Sequence, residues 1–236
     1  MKSLPIRVLT PATAALLLAL GACGSPSAAP DKPAKDGPGQ TATNSFEVKD
    51  DVSVVEVDSE GGTITVKAGG GATIKVTETA AFKSDKPGRK QKLEGGELIL
   101  GSGGCPKNDC SISYVVEMPS TLTARLDSSG GRIELTGLTG LIDVQSDGGA
   151  VTGDALAPPE FQARTGGGPV DVKVTQAPDR IDIDSGGGNV NLRLTKDGYA
   201  LTADLDGGNQ SGTIKQDAGS SHKVKIATGG GSLAFV

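Results

Sequence analysis

The chain has 236 residues, and its 23 Lys and Arg against 28 Asp and Glu give a formal net charge of −5 at pH 7. Removing the two basic residues of segment 1–22 lowers this charge to −7. Such a chain repels nucleic acid, and its densest basic run, KPGRKQK at residues 86–92, is typical of a solvated hairpin tip. We therefore expect no nucleic-acid partner. We also expect no cofactor, because the sequence contains no motif that would bind one.

The N-terminus has the pattern of an export signal. Lys2 and Arg7 precede the apolar run AALLLAL, which is too short to span a bilayer as a lasting helix. The run ends in LGAC, and small residues directly before Cys23 resemble the lipobox of bacterial lipoproteins. This resemblance implies cleavage after residue 22, acylation of Cys23 and an extracytoplasmic protein held in the bilayer by its lipid. An ordinary secretory signal with a chance cysteine is the alternative.

Residues 23–43 are predicted to be the lipidated cysteine and a disordered tether, because Pro, Ala, Gly and charged residues dominate and cannot bury a core. Residues 44–236 are then long enough for one all-β domain.

Two further cysteines, Cys105 and Cys110, flank the turn-forming tetrapeptide PKND. In an exported chain this spacing predicts a disulfide that pins the end of a hairpin. A zinc site is disfavoured because the only histidine, His222, lies more than a hundred residues away. We expect no metal.

Glycine pairs recur through the chain with a period near 20 residues, which is typical of a solenoid. Apolar residues alternate with polar ones on both sides of each pair, so each unit reads as strand, tight turn, strand. Positive φ at the glycines would let the backbone turn, whereas a phosphate loop lacks its Lys, Ser or Thr and helix. The predicted turn residues are Gly61 and Gly62, Gly130 and Gly131, Gly148 and Gly149, Gly167 and Gly168, Gly187 and Gly188, Gly207 and Gly208, and Gly230 and Gly231.

The sequence thus predicts an all-β, single-chain β-solenoid of about 20-residue rungs with Gly-Gly turns. Residues 72–125 read as longer strands that form an N-terminal hairpin cap. The C-terminal strand, residues 232–236, has no evident cap, which predicts weak self-association through it.

Three residues before the second glycine, six of the seven units carry a hydroxyl: Ser59, Ser128, Ser146, Thr165, Ser185 and Thr228. These hydroxyl residues have the same parity in the alternation as the apolar residues before each glycine pair. We therefore expect the hydroxyls to face the interior and to form hydrogen bonds with backbone groups of the turns. An exposed row of ligand hydroxyls is the alternative.

The stretch SYVVEMPSTLTARLDSSGGRIELTGLTGLIDVQSDGG, with its recurrent Ser-X-Gly-Gly and Gly-Leu-X-Gly units, resembles the bacterial putative-adhesin family of β-strand repeats. The similarity covers roughly residues 44–236. It implies a β-solenoid of either hand, often in a lipoprotein, and it supplies no catalytic residue. The segment from Cys105 to Cys110 departs from the family pattern.

The resulting hypothesis is a non-catalytic surface-binding, adhesion or envelope-scaffold lipoprotein whose partner is an envelope protein or polysaccharide. The alternative is a carbohydrate-active enzyme using Asp184 and Asp204, expected on adjacent rungs, with Arg164 on the next one. A calcium site at GGGPVDVKV is weakly indicated, because Pro169 interrupts the nonapeptide pattern.

Overall fold

The structure, a computed structural model, describes residues 39–104 and 109–236, and every regular element in these two ranges is a β-strand. Within them, no helical segment has the length and hydropathy needed to cross a bilayer. The signal segment, Cys23 and Cys105 lie outside the described residues. The all-β prediction is confirmed.

The strands are short, as the turn-rich sequence requires, and the first one starts four residues before the predicted domain boundary. In chain order they are β1 (Gln40–Val48), β2 (Val54–Ser59), β3 (Ile64–Ala68), β4 (Ile74–Phe82), β5 (Arg89–Glu94), β6 (Glu97–Ser102), β7 (Cys110–Met118), β8 (Thr123–Ser128), β9 (Ile133–Thr136), β10 (Ile142–Ser146), β11 (Val151–Leu156), β12 (Glu160–Thr165), β13 (Val170–Val174), β14 (Arg180–Asp184), β15 (Val190–Arg193), β16 (Ala200–Asp204), β17 (Gln210–Ser211), β18 (Lys223–Ala227) and β19 (Leu233–Phe235).

These strands form two open sheets that share one apolar core. Sheet A has the order β1-β4-β7-β3-β9-β11-β13-β15-β19-β17, and sheet B has the order β5-β6-β2-β8-β10-β12-β14-β18-β16. Pairing is parallel except for β1 with β4, β4 with β7, and β5 with β6. From β8 onward, successive strands alternate between the two sheets.

Each predicted glycine pair connects a strand of sheet B to the next strand of sheet A. We call such a connected pair of strands a rung. Seven rungs carry the glycine corners: β2–β3, β8–β9, β10–β11, β12–β13, β14–β15, β16–β17 and β18–β19. The strand, turn, strand prediction is therefore confirmed for all seven units.

The two glycines of a corner serve different physical needs. Six of the first glycines have φ in the left-handed region, as predicted; they are Gly61, Gly130, Gly167, Gly187, Gly207 and Gly230. None of the second glycines does. A Cβ on a second glycine would instead overlap the backbone of the neighbouring rung, as Gly188 would overlap the carbonyl of Gly168. The prediction that both glycines have positive φ was thus wrong for the second glycine of each pair, which is required by the close backbone contact instead.

The predicted apolar columns form the core. Inward side chains such as Val57, Ile183 and Ile226 are buried in six of the seven glycine-cornered rungs. The exceptions all belong to rung β16–β17, where Leu201 is half-buried and Ala203 and Gln210 are exposed. This rung has a neighbour on one side only, so its inner positions are not covered.

The last two rungs are stacked out of chain order. After rung β16–β17, the chain returns to place β18 between β14 and β16, and β19 between β15 and β17. The C-terminal strand is therefore an interior strand, and Leu233 is fully buried. The prediction of an uncapped strand at residues 232–236, and of self-association through it, was wrong.

The N-terminal end differs in detail from a simple hairpin cap. Strands β5 and β6 do form an antiparallel hairpin, but β6 also pairs in parallel with β2, and β7 with β3. The segment between β6 and β7 therefore links sheet B to sheet A, where other rungs have a glycine corner. Strands β6 and β7 consequently do not form a hairpin with each other, and Cys110 is the first residue of β7.

Gly188→Ala and Gly148→Ala test the close approach of the rungs. An added Cβ at position 188 meets fixed backbone, whereas one at position 148 meets nothing within 4 Å and φ there is not left-handed. We expect Gly188→Ala to destabilise the fold by about 3 kcal/mol or more, which lowers the Tm of a domain of this size by roughly 6–12 °C. Thermal unfolding that is equal in the two variants would contradict the close contact.

Candidate functional site

The hydroxyl column lies inside the protein, as its parity predicted. All six hydroxyl side chains are buried, and four of them donate to the carbonyl of the second glycine in their own turn, as Ser185 Oγ does to Gly188 O at 2.6 Å. Thr165 also donates to the carbonyl of Ser185 on the next rung at 3.2 Å. The column therefore ties corners together, and its hydroxyls do not face a ligand.

The proposed enzyme residues lie on the outer face of sheet B, but they are not assembled as predicted. Arg164 and Asp184 are direct neighbours on β12 and β14. Asp184 and Asp204 are separated by Ala227, because β18 lies between their strands. At the strand spacing of about 4.8 Å, the two carboxylates start nearly 10 Å apart instead of on adjacent rungs.

A different set of polar residues converges on the same face. Two columns of outward side chains border a shallow groove of about 230 Å³, which we call the sheet B groove. Its polar lining consists of Glu56, Asp58, Arg125, Asp127, Asp143, Gln145 and Arg164. Strand pairing fixes the spacing, since Asp58, Asp127, Gln145 and Arg164 occupy one register position on four successive strands.

Some polar side chains of the groove already have a hydrogen-bond or ion-pair partner, whereas others, which we call uncommitted, have none in the described part of the chain. Arg125 binds Glu97 at 2.8 Å, and Arg164 approaches Asp143 to 3.7 Å. Within the described residues, the side chains of Asp58, Asp127 and Gln145 have no hydrogen-bond or ion-pair partner. The groove can therefore offer two carboxylates and one carboxamide to a ligand without breaking an existing bond.

The electrostatics of the groove centre on Asp127. Although this side chain is largely exposed, partial burial of its carboxyl raises the pKa, and the nearby charges of Asp58 and Asp147 raise it further. The groove thus holds closely spaced like charges that a hydrogen-bond donor would relieve.

A metal site is not formed in the described part of the chain, where no group of three or more His, Cys, Asp or Glu side chains could hold an ion. At the weakly indicated calcium motif, Asp171 is bound to Arg193 at 2.6 Å. This ion pair satisfies the carboxylate that the motif would need as a ligand.

Sequence reasoning missed a buried polar cluster near the N-terminal end of the stack. Glu78 is only 2% exposed and forms an ion pair with Arg89, the first residue of β5. Asn44 donates to the same carboxylate at 3.4 Å. Tyr114 lies opposite Glu78 on β7, and burial raises its pKa, with a further contribution from Glu78. The signal was a carboxylate at an inward position of ATIKVTETAAF.

No family model matches the chain, and no curated protein matches it. Solved structures give only distant likenesses. A putative cell adhesion protein from Clostridium sporogenes is 13% identical, with a TM-score of 0.44, over 83% of this chain and 99% of its own. A putative adhesin from Parabacteroides merdae is 11% identical, with a TM-score of 0.36, over 85% of this chain and 98% of its own.

A putative lipid binding protein from Parabacteroides distasonis is 12% identical, with a TM-score of 0.36, over 85% of this chain and 98% of its own. At these scores, the three likenesses leave the function of this chain open.

Asp127→Asn tests the charge crowding in the groove. Folding raises this pKa, so ionisation of Asp127 costs stability; the cost is absent below the ordinary pKa of 3.8 and fully present above the folded-state value. For one surface charge we expect the variant to melt about 1–2 °C above the wild type at pH 7. At pH 3 the two proteins should melt alike.

Asp179→Asn, which removes one negative charge from an exposed turn before β14, is the matched control and should leave the Tm at pH 7 close to that of the wild type. A lower Tm of Asp127→Asn at pH 7 would show that the carboxylate stabilises the fold, contrary to the crowding described.

Proposed function

We propose that this protein is an extracytoplasmic lipoprotein, anchored through acylated Cys23, whose β domain is a non-catalytic surface-binding module for an envelope polysaccharide. The sequence LGAC after a basic and apolar leader supports the anchor. Acylation at one N-terminal cysteine with two or more chains would hold the protein stably in a bilayer.

We further propose that the domain is a β-solenoid. Its parallel rungs, its alternation between two sheets and its single core support this description. A stack of this kind has long, fixed outer faces, because each rung is held by its neighbours. Such faces suit the binding of an extended ligand better than that of a small molecule, which prefers a closed pocket.

The observation that carries the proposed function is the set of polar groups in the sheet B groove. Within the described residues, Asp58, Asp127 and Gln145 have no partner, and the ion pairs of Arg125 and Arg164 leave further N–H donors of each guanidinium unused. Carboxylates accept hydrogen bonds, guanidinium groups donate them, and a carboxamide does both. Sugar hydroxyls both donate and accept, so a polysaccharide could pair with all three kinds of group. The corresponding face of sheet A is less suited, because Asp154 and Asp171 are already paired with Lys173 and Arg193.

The enzyme alternative has less support. The residues named for it, Asp184 and Asp204, are separated by a whole strand. Asp58 and Asp127 are closer, on adjacent strands, but they lie in a shallow groove open to solvent. A shallow groove open to solvent encloses little of a substrate, so it favours binding over the fixed positioning that catalysis requires.

Two separate measurements test the anchor and the groove: palmitate incorporation for the anchor, and co-sedimentation with cell walls for the groove. Radioactive palmitate should be incorporated into the wild type in cells and not into Cys23→Ala. Purified residues 24–236, which contain every described strand, should co-sediment with cell-wall sacculi of the source bacterium. Arg125→Gln with Asp127→Asn should weaken this binding at least about tenfold, equivalent to about 1.4 kcal/mol.

Lys173→Gln with Asp154→Asn is the matched control, since it makes the same change of charge on the outer face of sheet A. Equal loss of binding in both double variants would contradict the groove. Release of soluble sugar from the sacculi, abolished by Asp127→Asn, would show that the protein is an enzyme.

A further inference from the structure

A basic segment stands out against the acidic chain. Residues 83–92, which we call the basic segment, hold five Lys or Arg and one Asp, although the whole chain has a net charge of −5. A run of this kind is by itself an ordinary solvated loop, and the sequence alone gave no reason to read it otherwise. Its position in the fold provides one.

The basic segment begins where the tether reaches the domain. Gln40, the first residue of β1, pairs with Phe82, the last residue of β4, and Lys83 follows directly. Gly39 lies beside the carbonyl of the same Phe82. Because β1 is the edge strand of sheet A, the tether meets the domain at the end of the stack that carries the basic segment.

The second half of the segment is an open edge. Strand β5 pairs only with β6, and all six of its residues are exposed. Lys90 and Lys92 point to the same side of this strand, and Lys86 is exposed in the loop before it. Lys92 also forms an exposed ion pair with Glu94. Leu93, which is 42% exposed, points to the opposite side of the strand from Lys90 and Lys92. The exposed cationic side chains are therefore the part of this edge that favours an anionic lipid surface.

The chain outside the described residues sets how far this surface can be from the membrane. Sixteen residues, 24–39, separate the proposed acylated cysteine from β1. If this tether is a random coil, as its composition predicts, it spans roughly 20–24 Å. Electrostatic attraction decays over about 8 Å at physiological ionic strength, so a tether of this length repeatedly brings the basic segment within range.

We propose that the basic segment docks on the anionic headgroups of the bilayer that holds the Cys23 lipid. This inference rests on the proposed lipid anchor. Docking places the N-terminal end of the stack against the membrane, with Lys86, Lys90 and Lys92 at the headgroups. The rest of the acidic domain, including the sheet B groove, then projects away from the negatively charged surface.

The test uses unacylated residues 24–236 and sedimentation with vesicles, so that binding does not depend on the lipid anchor. Vesicles of phosphatidylcholine alone are compared with vesicles that also contain phosphatidylglycerol, at low ionic strength. We expect binding to the anionic vesicles only, and its loss in 0.5 M salt. Lys86→Gln, Lys90→Gln and Lys92→Gln combined should weaken it by about fivefold per lysine removed.

The matched control replaces three exposed lysines at the opposite end of the stack, Lys196→Gln, Lys215→Gln and Lys223→Gln. It should lower vesicle binding much less than the first triple variant. Equal losses would show attraction by total charge alone, and equal binding to both kinds of vesicle would show that headgroup charge is not recognised. Either result would overturn the docking proposal, while palmitate incorporation at Cys23 would still report on the anchor.

Discussion

The fold depends on one steric constraint, the close approach of backbones at the glycine corners. Each second glycine lies against a carbonyl of the neighbouring rung, in a space that a Cβ would fill. In four corners, the hydroxyl three residues earlier donates a hydrogen bond to the carbonyl of that second glycine, so the closely packed backbone is also hydrogen-bonded there. Since a single rung cannot bury its inward side chains alone, these repeated contacts allow the two sheets to form a common core.

The sequence predicted the strands, the corners and the buried apolar positions well, because the alternation of apolar and polar residues and the regular spacing of the glycine pairs indicate which side chains face inward. It did not predict the stacking order, because spatial order depends on how the chain returns after residue 211. Yet one signal was present. Gln210 and Leu205 interrupt the apolar and hydroxyl columns in the same unit, and that unit is the terminal rung. Terminal repeats are atypical because one face lacks a neighbour.

The candidate site was less predictable. Arg164 was named from the sequence and does line the groove, but Asp58 and Asp127 were not chosen. They come from strands 69 residues apart and meet only because β2 and β8 are neighbours. The basic segment was visible in the sequence, but its place beside the tether follows from the pairing of Gln40 with Phe82. If Cys23 is acylated as proposed, these features orient the domain, with its basic end near the anchor and its acidic groove along the stack.

The stacking of the corners can be measured directly by nuclear Overhauser effects in isotope-labelled protein. In the structure, Gly231 lies between Gly188 and Gly208. In the sequence, Gly208 lies between Gly188 and Gly231. We predict cross-peaks from Gly231 to both other glycines and none between Gly188 and Gly208. Cross-peaks between Gly188 and Gly208, with Gly231 contacting only one of the two, would contradict both the rung order and the continuous glycine contact on which the structure depends.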